Sequence, residues 1–543
     1  MSGGAVAQTY DYIVIGAGSA GCAVARRLSD DPSVRVLLLE AGGHAKGFWA
    51  RSPVGMAKLF KDKRFNWMYS TEPVPTLRHR SLYWPRGKAL GGSSAINGLV
   101  YVRGNRKDFD HWESLGNPGW GWESVLPVFR RIEKYGGAAG SRHGYGSDGP
   151  LTISDPAVKH PTAIDFIEAA RRNQIPTVTA FTGMEPESAG FLQATIRNGA
   201  RQSSYDAFIA PVRNRPNLVV ESGVHVRRIV MQNRQAVGVE VLRGNQARSI
   251  TASREVIVSA GALNSPQVLM LSGVGDGNAL RQHGIETQFH LPGVGQNLQD
   301  HFVARVQASV TPESSYNRSL HGWRKYAEGI KYLMTGGGYL ALAASMAAAL
   351  VKSSPDADYT DLEISFRPMT FTYHASGKVE IDRHDAMSAS VYNTRPASRG
   401  EVRLRSADPL APPAFQPNFL SDQRDIRAML SGLRKLRAIW ATEPLASRMI
   451  AELTPGPGMV TDDQLIDYMR REGQNAYHPA GSCKMGNDPM AVVDARLRVH
   501  GIGRLRVADA SIMPTVTSGN TNAPSIMIGD KAADLILADA KAA

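Results

Sequence analysis

The feature that most constrains the fold is residues 11–43, DYIVIGAGSAGCAVARRLSDDPSVRVLLLEAGG. An apolar run at 12–15 has the length of a buried strand and leads through a glycine-rich turn into helical spacing at 20–28. A second apolar run, 36–39, predicts another buried strand. Strand, helix and strand in this order predict a β-α-β unit with parallel strands.

Three glycines in the turn have the G-x-G-x-x-G spacing of a dinucleotide-binding fingerprint. Gly16 permits a tight turn, Gly18 lets the backbone approach a pyrophosphate, and Gly21 lets helix and strand pack closely. The N-terminus of the helix would offer free N–H groups to the phosphates. Glu40 follows Gly21 by 19 residues, a distance at which its carboxylate can bind a ribose. The pattern predicts an ADP-containing cofactor, with an ordinary glycine-rich turn as the alternative, and does not distinguish NAD from FAD.

Length and charge restrict the class of protein. A chain of 543 residues is too long for one compact core, so at least two domains are expected. The formal net charge is +13, but the cations are scattered, with the densest groups at 58–64 and 103–107. Because no block of five like charges occurs, nucleic-acid binding is disfavoured. A solvated basic surface is favoured, and weak docking on an anionic membrane stays open.

The sequence also predicts where the protein resides. Cys22 lies inside the first predicted helix, so a disulfide with Cys483 is not expected. The N-terminus, MSGGAVAQTY, lacks the basic start and apolar core of a signal peptide. The longest apolar run, 339–351, is shorter than the roughly 20 residues of a membrane-spanning helix. We expect a cytoplasmic protein, at most peripheral at the inner membrane.

The rest of the chain shows two kinds of secondary-structure pattern, one of alternating strands and helices and one of antiparallel strands. Segments 218–221 and 224–230 are strand-like and could both pair with 236–243. The centre, 311–470, predicts an antiparallel sheet from strand periodicity at 362–366, 387–392 and 402–404. A strand at 505–508 and a helix at 524–537 then show the α/β pattern of the N-terminal part again. We predict an α/β fold with a Rossmann-like nucleotide-binding domain (1–160, 205–310 and 470–543) and an inserted antiparallel-sheet, substrate-binding domain (161–204 and 311–469).

Residues 85–101, PRGKALGGSSAINGLVY, form a second glycine-rich segment. The plain interpretation is a loop that leads into a buried helix. The alternative is a second place where backbone lies against a flat or anionic ligand.

One histidine is a candidate for catalysis. His478 precedes Pro479, which holds it extended rather than helical, although a lone histidine is often only structural. Near the C-terminus Asn522 could present an amide to a substrate hydroxyl or simply form a turn. The 14 histidines and two cysteines show neither H-x-x-x-H nor C-x-x-C spacing, so no metal is predicted. No G-x-S-x-G elbow surrounds Ser94 or Ser482, which disfavours a hydrolase.

Taken together, these motifs resemble the glucose-methanol-choline family of flavin-dependent oxidoreductases, nearly end to end. Within that family the chain is most similar to bacterial choline-dehydrogenase-like enzymes and alcohol dehydrogenases. The resemblance rests on the fingerprint with Glu40 and on four further stretches in the family's order: 87–97, 261–275, 297–301 and 478–479 with Asn522.

The resemblance implies that the cofactor is FAD. It implies hydride transfer from an alcohol carbon to the flavin while His478 takes the hydroxyl proton and Asn522 holds the oxygen. Some relatives attach the flavin to a histidine at the position of Ile96, which cannot form that bond, so we predict non-covalent FAD. The predicted cofactor-binding residues are Gly16, Gly18, Ser19, Ala20, Gly21, Glu40, Ala41, Trp67, Arg86, Gly91, Gly92, Ser93, Asn97, Gly98, Leu99, Val100, Val226, Ala260, Gly261, Asp509, Ala510, Asn522 and Pro524.

The predicted activity is oxidation of a primary alcohol, aliphatic or aryl, with a quinone-like carrier as electron acceptor. Four residues are predicted to line the substrate pocket: Phe366, Met369, Phe371 and Tyr477. Glu363 is a candidate partner for a choline cation, but strand alternation does not fix which way it faces. The alternatives are an oxidase that makes hydrogen peroxide from oxygen, a choline dehydrogenase, a hydroxynitrile-type lyase, a non-catalytic flavin-binding module and an NAD-dependent dehydrogenase. The sequence makes no prediction of oligomeric state.

Overall fold

The computed structural model describes residues 9–136, 144–183, 186–373 and 379–542. Its α-helices in that part of the chain are α1 (Ser19–Leu28), α2 (Phe48–Arg51), α3 (Met56–Leu59), α4 (Arg106–Ser114), α5 (Trp122–Ile132), α6 (Pro161–Arg172), α7 (Asn264–Leu271), α8 (Gly277–Gln282), α9 (Arg324–Thr335), α10 (Gln423–Trp440), α11 (Asp462–Glu472) and α12 (Asn522–Ala542). Its strands are β1 (Thr9–Ile15), β2 (Val36–Glu40), β3 (Tyr69–Ser70), β4 (Tyr83–Trp84), β5 (Val100–Tyr101), β6 (Glu133–Tyr135), β7 (Leu151–Ile153), β8 (Ser188–Phe191), β9 (Gln193–Ala194), β10 (Ile196–Arg197), β11 (Ala200–Arg201), β12 (Leu218–Ser222), β13 (His225–Gln232), β14 (Gln235–Arg243), β15 (Gln246–Val258), β16 (Val274–Gly275), β17 (Phe289–His290), β18 (Phe302–Val310), β19 (Ala347–Val351), β20 (Leu362–Arg367), β21 (Phe371–Tyr373), β22 (Val379–Ile381), β23 (Ala386–Asn393), β24 (Glu401–Arg403), β25 (Ala414–Gln416), β26 (Met449–Thr454), β27 (Gln474–Asn475) and β28 (Leu505–Val507).

The first large sheet contains the predicted β-α-β unit. Its order is β12-β2-β1-β15-β14-β13, and β28 also pairs with β15. Strands β12, β2, β1, β15 and β28 run parallel, with Ile13 opposite Leu37. Both faces of this parallel part are covered, which explains why every residue of β2 is buried and why its sequence is continuously apolar.

The hairpin prediction is correct for β13 and β14 and wrong for residues 218–221. β13 and β14 pair antiparallel around Asn233 and Arg234, whose φ values of 49° and 58° suit a tight hairpin turn. Strand β12 instead lies parallel to β2, with Leu218 opposite Val36. The short sequence separation favoured β14 as the partner of residues 218–221. In the structure β12 instead covers the edge of the parallel sheet that β2 would otherwise leave open.

The second large sheet is antiparallel, as predicted for the inserted region. Its order is β26-β18-β23-β20-β19-β8, and β27 also pairs with β18. Residues 362–366 and 387–392 lie in it, within β20 and β23. The predicted strand at 402–404 is not part of it in the described part of the chain, because β24 pairs with β25 in a separate ribbon. Strand β18 belongs to this sheet, although the predicted boundary assigned 302–310 to the nucleotide-binding domain.

The C-terminal helix closes the fold onto the N-terminal unit. Gly529 of α12 lies so close to α1 that a Cβ there would stand 2.3 Å from the Ala20 carbonyl oxygen. The buried Asp530 carboxylate accepts a 2.7 Å hydrogen bond from Arg27 of α1. Because α12 begins at Asn522, this packing holds the loop before it against the glycine-rich turn. Among the described residues, none of the helices is both long and apolar enough to cross a bilayer.

Candidate functional site

Two cavities meet inside the molecule. The smaller, about 140 Å³, lies around the glycine-rich turn of the first sheet. The larger, about 590 Å³, is lined by strands of the second sheet and by the segment around His478. The two share the lining residues Ser19, Arg86, Ser93, Thr521 and Ser525. The two cavities therefore adjoin, and together, as the trough, they extend from the nucleotide fingerprint to the candidate base.

The fingerprint glycines are where close packing leaves no room for a side chain. At Gly16, φ is +98° and a Cβ would lie 2.5 Å from the Ser259 carbonyl oxygen. A Cβ on Gly21 would lie 1.9 Å from the carbonyl oxygen of Gly16, which is the close helix–strand contact that the sequence predicts. Gly18 caps α1 without a side-chain hydrogen bond, so the first N–H groups of the helix remain available to an anion.

The second glycine-rich segment docks on the first. The Gly91 N–H donates to the Ala17 carbonyl oxygen at 2.8 Å. A Cβ on Gly92 would lie 2.6 Å from the Gly18 Cα. No long helix follows, since residues 92–95 form only a short 3₁₀ turn. The predicted alternative is therefore the better interpretation: two backbone segments form one cradle that a side chain would fill.

Glu40 braces this cradle at the end of β2. One carboxylate oxygen accepts from the Ala17 N–H at 3.1 Å and the other from the Gly42 N–H at 2.8 Å. Burial raises the pKa of Glu40 to about 7, and the backbone donors oppose that rise. Each oxygen keeps a second lone pair, and the side chain lines the smaller cavity, which fits the predicted ribose contact.

Most of the predicted cofactor residues line the trough. Those on the smaller cavity are Gly16, Gly18, Ser19, Ala20, Glu40, Ala41, Trp67, Arg86, Gly92, Ser93, Val226, Ala260, Gly261, Asp509 and Ala510. Those on the larger cavity are Asn97, Gly98, Leu99, Val100 and Asn522. Three predicted residues line neither cavity. Gly21 and Gly91 contact the backbone of the glycine-rich turn, at Gly16 and Ala17, and Pro524 is buried within α12.

One buried carboxylate holds the backbone around the candidate base. Oδ1 of Asp300 accepts from the His478 N–H and from the His301 N–H, each at 2.8 Å. Tyr477, just before the base, has a φ of +66°, so the chain turns sharply there. Nη1 of Arg86 donates to the Tyr477 carbonyl oxygen at 2.9 Å, which ties this turn to the point where the two cavities meet.

Both ring nitrogens of His478 have partners. Nε2 lies 2.9 Å from Nδ2 of Asn520, and Nδ1 lies 3.0 Å from Nδ1 of His301. Because an amide nitrogen can only donate, Nε2 of His478 is the acceptor and its proton is on Nδ1. His301 then accepts at Nδ1 and carries its own proton on Nε2. The bond between the two histidines thus fixes the tautomer that leaves Nε2 basic.

The surroundings keep both rings neutral. Burial lowers the pKa of His478 well below its usual range, and His301 and Arg86 lower it further. Burial lowers the pKa of His301 to about 4. Asp300, His301 and His478 also form a group whose ligand atoms lie within 4.8 Å of one another, a spacing that a metal could use and that the sequence patterns did not indicate. The mutual Nδ1 contact already uses one nitrogen of each ring, so the arrangement suits proton transfer better.

The structure corrects the predicted partner of the base. The residue at His478 is Asn520, in the turn that follows Gly519 with its φ of +103°. Asn522 is the first residue of α12, and its Oδ1 accepts a 2.7 Å hydrogen bond from Ser19 in the glycine-rich turn. The sequence offers two asparagines around Thr521, and only the start of the helix determines which one faces the histidine.

Of the four residues predicted to line the substrate pocket, three lie on the larger cavity and Phe366 does not. Met369, Phe371 and Tyr477 line the larger cavity. Phe366 points to the opposite face of β20, where its ring stacks on Phe166 with centroids 4.5 Å apart. Because side chains alternate between the two faces of a strand, the β20 residues that line the cavity are Glu363, Ser365 and Arg367.

Two charged residues from β20 thus lie in the cavity wall. Burial raises the pKa of Glu363 to about 7, and Arg367 opposes that rise. The Arg367 guanidinium donates to the Ala344 carbonyl oxygen at 3.0 Å and to the Ser345 hydroxyl at 2.9 Å. Arg367 was not among the predicted residues; its i, i+4 relation to Glu363 on one strand face was the signal that could have found it.

Comparison with known proteins gives the relatives of this chain. Two sequence profiles of the GMC oxidoreductase family match, one at residues 10–303 and one at 396–529. An alcohol dehydrogenase [acceptor] of Pseudomonas putida is 39% identical over 97% of this chain and 96% of its own. An oxygen-dependent choline dehydrogenase of Rhizobium etli is 42% identical over 97% and 95%. A formate oxidase of Aspergillus oryzae, solved in a study of its FAD modification, superposes with a TM-score of 0.90, 27% identity and coverage of 99% and 100%.

Proposed function

This chain belongs to the GMC oxidoreductase family, whose members bind FAD, and from that premise we propose that it oxidises a primary alcohol to the aldehyde and passes the electrons to a quinone-like acceptor. One observation carries the proposal. The basic Nε2 of His478 and the amide of Asn520 converge, 2.9 Å apart, at a cavity that adjoins the nucleotide cradle. A base beside an oxygen-binding donor is what removal of an alcohol proton requires.

The chain's own residues fit FAD along the trough. Glu40 suits the ribose, and the backbone cradle of Gly18 and Gly92 suits the diphosphate. Ile96 and Asn97 suit the larger cavity's end of the cofactor. When bound, FAD supplies a ring that accepts a hydride from the alcohol carbon.

The proton chemistry falls to His478 and its partners. An alcohol that enters the larger cavity displaces the contact between His478 and Asn520, so that its hydroxyl donates to Nε2 and accepts from the amide. As the hydroxyl proton moves to Nε2, the Nδ1–H bond to His301 shortens and spreads the positive charge over two rings. Such a base contributes about 10² to 10⁴-fold to the rate. Asn520 stabilises the oxygen as charge develops on it.

The cavity favours an uncharged alcohol, aliphatic or aryl. Its lining includes apolar and aromatic side chains, among them Phe60, Met369 and Phe371. Glu363 is one of two carboxylates in the lining, with Glu472, and could favour choline instead; choline dehydrogenases are among the relatives. Its raised pKa and its neighbour Arg367 make it a weak partner for a fixed cation, so choline is the second candidate.

An alcohol panel tests substrate and acceptor together. The FAD-loaded protein is incubated with primary aliphatic alcohols of increasing length, benzyl alcohol or choline, each with oxygen alone and with an artificial quinone. We expect aldehyde from the uncharged alcohols and faster turnover with the quinone. Choline as the best substrate would support the second candidate. Hydrogen peroxide in amounts equal to the aldehyde would identify an oxidase, and an unbleached flavin spectrum with every alcohol would contradict the proposal.

A further inference from the structure

Helix α9 turns its apolar side to the solvent. Five large apolar residues at or next to the helix are 59 to 81% exposed: Trp323, Tyr326, Ile330, Leu333 and Met334. At 100° per residue they span about 100° of the helix surface, the width of a stripe that normally faces a core. No residue of α9 is buried.

The polar side of α9 is the side that holds it to the protein. Glu328 accepts from the Tyr339 N–H at 3.1 Å, and the Tyr332 hydroxyl donates to the Gly199 carbonyl oxygen at 3.0 Å. Both residues lie opposite the apolar stripe on the helix wheel. The orientation is therefore fixed by specific contacts, and the exposed stripe is not the result of a loosely placed helix.

Helix α2 adds two exposed aromatic residues beside α9. Phe48 packs against Tyr332 with ring centroids 5.9 Å apart, and Phe48 and Trp49 are themselves 43% and 46% exposed. We name the docking surface as the stripe of α9 together with Phe48 and Trp49.

Cations lie against the docking surface: Arg324 over Trp323, Lys325 over Tyr326 and Lys58 over Trp49, at 4.9 to 6.0 Å from the ring centroids. Helix α9 carries Arg324, Lys325 and Lys331 against the single carboxylate Glu328. Residues 48–64, which include α2 and α3, carry five cations and one carboxylate. Lys58, which lies over Trp49, is the first cation of the dense group at 58–64. Exposed aromatic and aliphatic residues with basic neighbours match the interface of a bilayer that contains anionic lipids.

The docking surface lies at the rim of the larger cavity. Met56 and Phe60, just after α2, line that cavity, and so do Leu320 and Tyr339 on either side of α9. We propose that the docking surface binds the face of an anionic lipid bilayer and turns the rim of the cavity towards it. Apolar alcohols and quinones, which partition into lipid, would then reach the cavity directly from the membrane.

Vesicle sedimentation of the FAD-loaded protein, without substrate, tests the docking apart from turnover. We expect binding to phosphatidylcholine vesicles with about a third phosphatidylglycerol, weaker binding at high salt, and little binding to pure phosphatidylcholine. The triple substitution Ile330→Ser, Leu333→Ser and Met334→Ser should lower the partition coefficient at least about tenfold. The matched control is Leu410→Ser, Ile450→Ser and Val460→Ser, whose residues are 61 to 66% exposed elsewhere on the surface.

A second measurement does not depend on loss of binding. Cys22 and Cys483 are both buried, so a single new cysteine can be labelled with a polarity-sensitive dye. A label on Ile330→Cys should shift its emission to the blue with anionic vesicles, and a label on Val460→Cys should not.

Three results would overturn the proposal: no sedimentation of the wild type, equal loss in both triple variants, or equal shifts at both labels. A wild-type dimer that the α9 triple variant converts to a monomer would assign the surface to a second copy of this chain instead.

Discussion

Asn520, not Asn522, is the asparagine whose loss should slow the reaction. Its Nδ2 faces the basic nitrogen of His478 at 2.9 Å, in a partly buried site where a hydrogen bond to a developing oxyanion is strong. Removal of one such donor typically costs about 10² to 10³-fold in rate, or about 2.7–4 kcal/mol of transition-state stabilisation. Asn522 bonds instead to Ser19, a contact between neutral groups worth about 1 kcal/mol to the folded state.

The assay is anaerobic stopped-flow reduction of the bound flavin by a saturating alcohol. Asn520→Ala should reduce the flavin about 10² to 10³-fold more slowly while it keeps its FAD. Asn522→Ala is the matched control, two residues away, and should reduce the flavin at close to the wild-type rate with a slightly lower melting temperature. The reverse order of the two variants would refute the assignment, and so would equal rates.

Three further outcomes follow from the site. Burial and the charge of Arg86 keep His478 deprotonated, so the rate of flavin reduction should stay level from pH 8 to pH 5.5. A base with a pKa of about 6.5 would instead retain about a tenth of its neutral form at pH 5.5. A tenfold fall in the rate across a pH series would contradict this prediction. Acid denaturation should release all yellow colour into the supernatant, since the side chain at position 96 is isoleucine; flavin in the pellet would disprove non-covalent binding. Gly92→Ala should purify without a flavin absorbance band, because its Cβ would lie 2.6 Å from the Gly18 Cα. Gly43→Ala, with open space around it, should keep the band. A full band in Gly92→Ala would show that the cradle does not bind the flavin cofactor.

The nucleotide-binding unit was predictable because its signals are local. Continuous apolar runs specify strands buried on both faces, and glycines at fixed intervals specify the turn between them. The close approach of Gly21 to the Gly16 carbonyl oxygen is the packing that the fingerprint encodes. The position of Glu40 at the end of β2 follows from the same spacing.

Long-range partners were less predictable. Strand β12 and residues 402–404 have ordinary strand patterns, but a pattern does not state which edge a strand covers. The period of two along β20 predicts two faces without telling which one meets the cavity, so Phe366 was assigned to the wrong side and Glu363 was left undecided.

The candidate base and its partner show the same division. His478 is recognisable in the sequence because a proline and small residues follow it, and in the structure it lines the larger cavity. Its partner depends on the φ of Gly519 and on where α12 begins, neither of which the sequence states. The support from His301 was hidden for a different reason: the two residues are 177 positions apart, and only the fold joins their rings.

The most direct test of the account is flavin reduction by His478→Ala. The variant is loaded with FAD and mixed anaerobically with the best alcohol of the panel, with the wild type measured alongside. If His478 is the base, the variant keeps its flavin spectrum and its reduction is about 10² to 10⁴-fold slower. A variant that keeps FAD and is reduced at the wild-type rate would contradict the central claim.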